Sequence, residues 1–400
     1  MLVTIVTTWF PTAARPAVGP FVLRDARAIA ATSGSRVRVV HLIPPSDLAA
    51  DGGAARIAVP VRAQSALPAA REGTGADEGS IEVLRIPFAP QDPRTWAGAR
   101  APLAAALRGS DAVHSMAISS LLALRMVQVP APWVHTEHWS ALTTPASAPA
   151  HLRAAIPVFR RLLRRPDTVT AVCEFLAAPI RAERGPRPVA VVPCIVDPVP
   201  LTPRRDRSDG TLRLVSTGAL IERKDPLVAV RVVAELARRG VDARLDWLGD
   251  GPLRSATEEE ARALGIADRI TLRGQVAADE VLRTVAEGTD LFFGPTRADN
   301  FFVGAAEALV AGRPVVLGAT GGQGEYVDPA VGELVGVQDP RAYADAIQRV
   351  DAATRDLSSE QISETIGERF STPVVGAQYR EVLEETCERG SGPRVWTGRA

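Results

Sequence analysis

Lys224 is the only lysine in a chain with 46 Lys and Arg residues. An ammonium is a compact point charge on a flexible stem, and Arg does not replace it freely. Lys224 stands in STGALIERKDP, residues 216–226, between an apolar run with strand character and a helical pattern. Arg223 and Lys224 sit at the mouth of the expected helix. Free N–H groups and the helix dipole favour an anion there, so two cations suit a diphosphate. The run Glu222 to Asp225 would also serve as a solvated loop. The solitary lysine and the strand-end position set it apart.

Candidate carboxylates follow in DLFFGPTRADNFFVGAAEALVAGRPVV, residues 290–316. An apolar strand pattern ends in a polar loop, the loop feeds a short apolar helix, and Gly312 closes that helix. Asp299 lies in the loop beside Asn300, the only Asn in the chain. A carboxylate at a strand end can accept hydrogen bonds from sugar hydroxyls, although Asp is also a favoured helix N-cap. Glu307 stands between Ala306 and Ala308 in the apolar helix. A buried carboxylate there needs a partner, and a ribose would supply one. LGDGPLR, residues 248–254, is a further strand-to-helix turn whose glycines permit close backbone approach. No GxxxxGK[ST] loop occurs, so a P-loop nucleotide hydrolase is excluded.

The elements that must position these residues read as strands alternating with helices. Residues 2–7 (LVTIVT) form a buried-strand pattern, 21–32 a helix and 36–43 a strand. Residues 44–80 read as loop or mixed structure, and strands are expected at 81–86, 111–115, 132–136 and 189–193. After a Pro- and charge-rich stretch the alternation restarts: strands at 212–217, 243–248, 269–273, 290–294 and 314–318, helices at 226–239, 253–264, 278–287 and 303–311. This pattern means α/β domains with parallel sheets covered on both faces. We expect an N-terminal domain over 1–197, a linker over 198–210 and a second domain over 211–372. A helix over 373–390 packs back on the first domain, and 391–400 is a tail. Two doubly wound domains joined this way leave a cleft, with ligands outside the carboxyl ends of the strands.

Composition narrows the function. Lys+Arg and Asp+Glu both total 46, which argues against nucleic-acid binding. The N-terminus lacks a secretory signal pattern. Cys173, Cys194 and Cys387 form no CxxC pair, so neither a zinc site nor a disulfide framework is expected, and a cytoplasmic setting is. No apolar run approaches the ~20 residues that span a bilayer. Residues 158–165 (VFRRLLRR) interleave apolar residues with Arg160, Arg161, Arg164 and Arg165. Such a stretch suits either a solvated helix face or peripheral contact with an anionic membrane, at roughly 1 kcal/mol per basic residue.

Together these motifs resemble the GT4 family of retaining glycosyltransferases, which have the GT-B fold of two facing Rossmann-like domains. The spacing from Asp299 to Glu307 is similar to the family's E-x7-E signature. EALVAGRPVV, GALIERKDP, LGDGP and TGGQGEYV (320–327) resemble its other C-terminal landmarks. VHTEHWS (134–140), VTAVCEFL (169–176) and VVPCIVD (191–197) resemble its N-terminal ones. The resemblance implies that Lys224, Arg223 and Gly19 hold the donor diphosphate and that Glu307 binds ribose. It implies that Asp299, Asn300, Phe302, Val303 and Gly304 bind the donor sugar, with His138 and Asp299 at the reacting centre. His138 is favoured over His135 because it lies just past the expected strand. The sequence departs from the family at Asp299 (usually Glu), Phe302 (often Gly) and Ala219 (often Arg).

The implied activity is metal-independent transfer from a UDP- or GDP-sugar, with no cofactor, in polysaccharide or glycoconjugate synthesis. The acceptor would be a hydroxyl of a glycan, a lipid-linked molecule or a small molecule. A silent sugar-nucleotide-binding subunit and a nucleotide-sugar 2-epimerase on the same fold are the alternatives. The epimerase would call for more carboxylates and histidines than the expected cleft offers.

Overall fold

The structure is a computed structural model that describes residues 1–16, 18–61 and 80–390. The tail 391–400 and part of the loop expected over 44–80 lie outside the described residues. The chain divides into two units: Met1–Ile195 with the chain from Thr372 onward, and Val196–Ser371.

The first unit runs β1 (Leu2–Thr7), α1 (Pro20–Ser33), β2 (Arg36–Ile43), α2 (Pro45–Ala50), β3 (Arg56–Pro60), β4 (Ser80–Pro87), α3 (Arg94–Ala106), β5 (Ala112–Met116), α4 (Ser120–Leu124), β6 (Trp133–Glu137), α5 (Ala150–Leu162), β7 (Thr168–Ala171), α6 (Glu174–Arg184) and β8 (Val189–Val191). Its sheet has the order β3-β4-β2-β1-β5-β6-β7-β8. All pairs are parallel except β3 with β4. β1 is buried from Val3 to Thr7, as a central strand flanked on both sides must be. The order reverses between β1 and β5, so the loops after those strands border the crevice of a doubly wound sheet.

The second unit runs β9 (Leu212–Thr217), α7 (Pro226–Arg238), β10 (Ala243–Leu248), α8 (Arg254–Ala263), β11 (Ile270–Gly274), α9 (Ala278–Gly288), β12 (Leu291–Gly294), α10 (Val303–Val310), β13 (Val315–Gly318), β14 (Gly332–Val335), α11 (Pro340–Thr354) and α12 (Ser359–Glu364). Its six strands are all parallel in the order β11-β10-β9-β12-β13-β14. Here the order reverses between β9 and β12. Those are the strands that lead into the lysine loop and the Asp299 loop.

Coverage of this sheet is less complete than the alternation implies. Arg213, Arg244, Asp246, Thr271 and Arg273 are wholly or partly exposed along β9, β10 and β11. They line an open groove of about 730 Å³ beside α9. Their neighbours Leu214, Leu245 and Trp247 are buried on the opposite face.

Residues 198–210 contain no helix or strand, but they are tied to the second unit. Arg205 pairs with Asp290 at 2.8 Å, and Arg207 pairs with Asp351. The last helix, α13 (Thr372–Gly390), packs on α1 of the first unit. Val375, Tyr379, Val382 and Leu383 join that unit's core, and Tyr379 donates to the buried Asp25 at 3.1 Å. Among the described residues no helix is long and apolar enough to cross a membrane.

Candidate functional site

In the second unit the lysine loop is a tight turn, Glu222–Lys224, between β9 and α7. The loop after β12 clamps it through backbone. Arg297 N–H and the Thr296 hydroxyl both donate to the Arg223 carbonyl, at 2.8 and 3.0 Å. Asp225 then caps α7, its carboxylate accepting Val228 N–H at 3.4 Å and pairing with Arg297 at 2.7 Å. The chain's own acid therefore occupies the mouth of α7. An outside anion drawn to Arg223 and Lys224 would therefore meet a helix start that already carries a carboxylate.

The two cations turn instead to the Asp299 loop. Lys224 Nζ and Arg223 Nη1 both donate to Asp299 Oδ2, each at 2.7 Å. Arg223 also donates to the Ala298 carbonyl at 3.0 Å. The ammonium lies 3.3 Å from the centre of the Phe302 ring. Lys224 is 9% exposed, so its charge is held by a carboxylate and an aromatic face with little help from water. Burial pulls the Lys224 amine below its ordinary pKa, with Asp299 acting against that. Burial also works against the Asp299 anion, yet Lys224 and Arg223 keep its carboxyl below the usual range.

The remaining candidate residues of this unit follow on the same loop and helix. Asn300 and Phe302 are buried, and Val303, Gly304 and Glu307 are half-buried in α10. The Phe302 ring meets Phe292 of β12 edge-on at 5.6 Å, and Tyr326 donates to the Phe302 carbonyl at 2.8 Å. The TGGQGEYV stretch backs the loop: Asp299 N–H donates to Thr320 O and Gly322 N–H to Asp299 O, both at 3.1 Å. The LGDGP turn serves packing. Gly249 has φ +145°, and a Cβ there would run into the Gly218 carbonyl. The close approach at Gly249 is to the chain's own lysine-loop backbone.

In the first unit, Gly19 (φ +67°) precedes α1 and lies against the Trp9 carbonyl, which a Cβ would strike. His138 follows β6 directly, its ring 4.4 Å from that of Phe21 in the first turn of α1. Gly19 and His138 thus meet the same helix start. Burial pushes the His138 imidazole down to about 4, Glu137 opposing, so the ring is neutral near pH 7. His135 is buried inside β6 and pairs with Glu137 at 3.1 Å. Sequence reasoning missed two things: the seating of Lys224 on Phe302, and Glu137. The alternation of Trp133, His135 and Glu137 along one strand was the available signal for the latter. Among the described residues no cluster of three or more His, Cys, Asp or Glu is placed to hold a metal ion.

Two family models match the chain: Glycosyltransferase Family 4 over residues 26–199 and Glycosyl transferases group 1 over 211–351. A 2-deoxystreptamine glucosyltransferase of Streptomyces kanamyceticus is 27% identical over 66% of this chain and 73% of its own length. Other relatives are spanned less fully, 41% in an alpha-D-kanosaminyltransferase of the same organism. A sucrose-phosphate synthase of Thermosynechococcus elongatus superposes with a TM-score of 0.75, at 20% identity, over 97% of this chain and 100% of its own. Anabaena HepE in complex with UDP and glucose does so at 0.68 and 15%, over 96% and 99%. At these identities the structural likenesses speak for the fold.

Proposed function

Since the chain belongs to the family 4 glycosyltransferases and has their GT-B fold, we propose that it is a retaining, metal-independent enzyme. It moves a sugar from a UDP- or GDP-sugar to an acceptor hydroxyl. The observation that carries this reading is the pair of cations, Lys224 and Arg223, converging on Asp299 at the point where the strand order reverses. A diphosphate offers the same cations the oxygen anions that Asp299 offers them now.

In this mechanism the acceptor oxygen bonds to the anomeric carbon on the face from which the nucleoside diphosphate departs. The bond from that carbon to the phosphate oxygen breaks, and the acceptor's proton passes to the leaving phosphate. Lys224 and Arg223 stabilise the charge that develops there. Asp299, Asn300 and the start of α10 hold the donor sugar, and Glu307 holds the ribose. Gly19 leaves room at the first unit's strand ends. His138, neutral, donates or accepts one hydrogen bond near the anomeric centre. The setting is the cytoplasm, in polysaccharide or glycoconjugate synthesis, with α5 in weak contact with an anionic membrane surface. The acceptor is a glycan, a lipid-linked molecule or a small molecule.

The test is the configuration of the product. With UDP-glucose or GDP-mannose as α-linked donors, proton NMR of the first-formed glycoside should show the α anomer, unchanged by a chelator. A β product, or loss of transfer on chelation that a divalent ion restores, contradicts this mechanism.

A further inference from the structure

Along β6, Trp133, His135 and Glu137 project to one face of the sheet, as alternate residues of a strand must. Ser115 of β5 is in register with His135. These side chains form one chain of hydrogen bonds. Trp133 Nε1–H donates to Ser115 Oγ at 2.8 Å, and Ser115 Oγ lies 2.9 Å from His135 Nδ1. His135 Nε2 lies 3.1 Å from Glu137 Oε2. The indole can only donate. Ser115 therefore accepts from Trp133, and the Glu137 carboxylate can only accept, so the imidazole proton sits on Nε2 and Nδ1 is left to accept from Ser115, whose other acceptor within reach is the Val134 carbonyl at 3.5 Å. The other oxygen, Oε1, accepts the backbone N–H groups of His138 and Trp139, at 2.8 and 2.7 Å. Ser115, His135 and Glu137 are fully buried.

We infer that Glu137 is a positioning residue, whose carboxylate, aimed by the Trp133–Ser115–His135 chain, fixes the turn that presents His138. A cap alone would be served by any acceptor at the strand end. The indole, hydroxyl and imidazole behind this one set its orientation and leave each of its oxygens a defined task. The consequence is geometric. His138 leaves β6 through two N–H groups tied to one oxygen, and its ring is delivered to Phe21. A displacement of about 1 Å at a reacting group costs about 10²-fold in rate. This inference rests on the role proposed for His138.

Glu137→Gln tests it. To keep both backbone N–H groups on its single oxygen, the amide must turn its NH2 toward His135. The imidazole then has to move its proton to Nδ1. Histidine ring ¹⁵N NMR should show Nε2–H for His135 in the wild type and Nδ1–H in Glu137→Gln. Turnover, read as nucleoside diphosphate released from UDP-glucose or GDP-mannose, should fall at least about tenfold, with donor KM within about twofold. Thermal shifts with UDP and GDP should match the wild type, because the diphosphate cations belong to the other unit. A folded Glu137→Gln with wild-type kcat, or a wild-type His135 protonated at Nδ1, overturns the inference. If Glu137→Gln does not fold, Ser115→Ala takes its place. It leaves the charge intact and should lower kcat without raising donor KM, and wild-type kcat there overturns the inference equally. His138→Ala separates the levels. If it keeps full turnover, the role of His138 itself falls. If it loses turnover while Glu137→Gln keeps it, only the positioning role falls.

Discussion

Asp299 places one carboxylate oxygen between Lys224 and Arg223, so on the proposed reading an incoming diphosphate competes with it for both cations. Asp299→Asn removes the competitor's charge and keeps its shape. Affinity for UDP or GDP should rise, by about tenfold for each 1.4 kcal/mol of competition removed, while sugar transfer falls. Titration calorimetry checks the first and donor turnover the second. Weaker nucleotide binding in the variant would show that Asp299 supports the phosphate site. At this scale the sequence was informative where composition isolates a residue. Lys224 stands out because arginine replaces lysine everywhere else. The Phe302 ring beneath it was visible only as a departure from Gly. A cation-to-ring contact between residues 78 positions apart depends on how two loops meet, which no local pattern encodes. Glu137 lay in a quoted motif, but its task depends on a register between β5 and β6.

The basic stretch over 158–165 shows what an element adds. In α5 and the turn after it, Arg160 donates to the Leu142 carbonyl at 3.2 Å. Arg164 pairs with Glu183 at 2.7 Å, and Arg165 lies over Trp133. Arg153, Val158 and Arg161 remain on the exposed face. With few uncommitted cations at roughly 1 kcal/mol each, membrane contact should be weak and salt-sensitive. Flotation with vesicles rich in anionic lipid should carry a fraction of the protein at low salt. Arg153→Glu with Arg161→Glu should abolish it. Flotation on neutral vesicles, or flotation indifferent to salt, contradicts a role for this face. The sequence marked the basic stretch as suited to a solvated helix face, but not where the helix begins or ends. Its contacts were not legible, because they join it to α6 and β6. The mouth of α7 is a similar case: the sequence shows a helix start after two cations, but Asp225 fills it.

At the scale of the molecule, alternating buried strands and helices were enough to read two parallel-sheet units and a chain end that returns to the first. Two features of the second unit were not legible. The stretch rich in Pro and charge looks detached by composition, yet its arginines find Asp290 and Asp351. The polar face of β9–β11 borders α9, and how much of the sheet the helices cover depends on strand order and packing. Strand order also decides why the site is where it is, because β9 and β12 flank the reversal and their loops carry both cations and the carboxylate. The most direct test of this account is thermal denaturation with a panel of nucleoside diphosphates and nucleotide sugars, on the wild type and on Lys224→Ala. Ligand at 100 times its dissociation constant adds about 2.7 kcal/mol, worth several degrees for domains of this size. The account predicts that UDP or GDP compounds raise the wild-type melting temperature and leave that of a folded Lys224→Ala nearly unchanged. Equal shifts in both proteins, or none in the wild type, would contradict it.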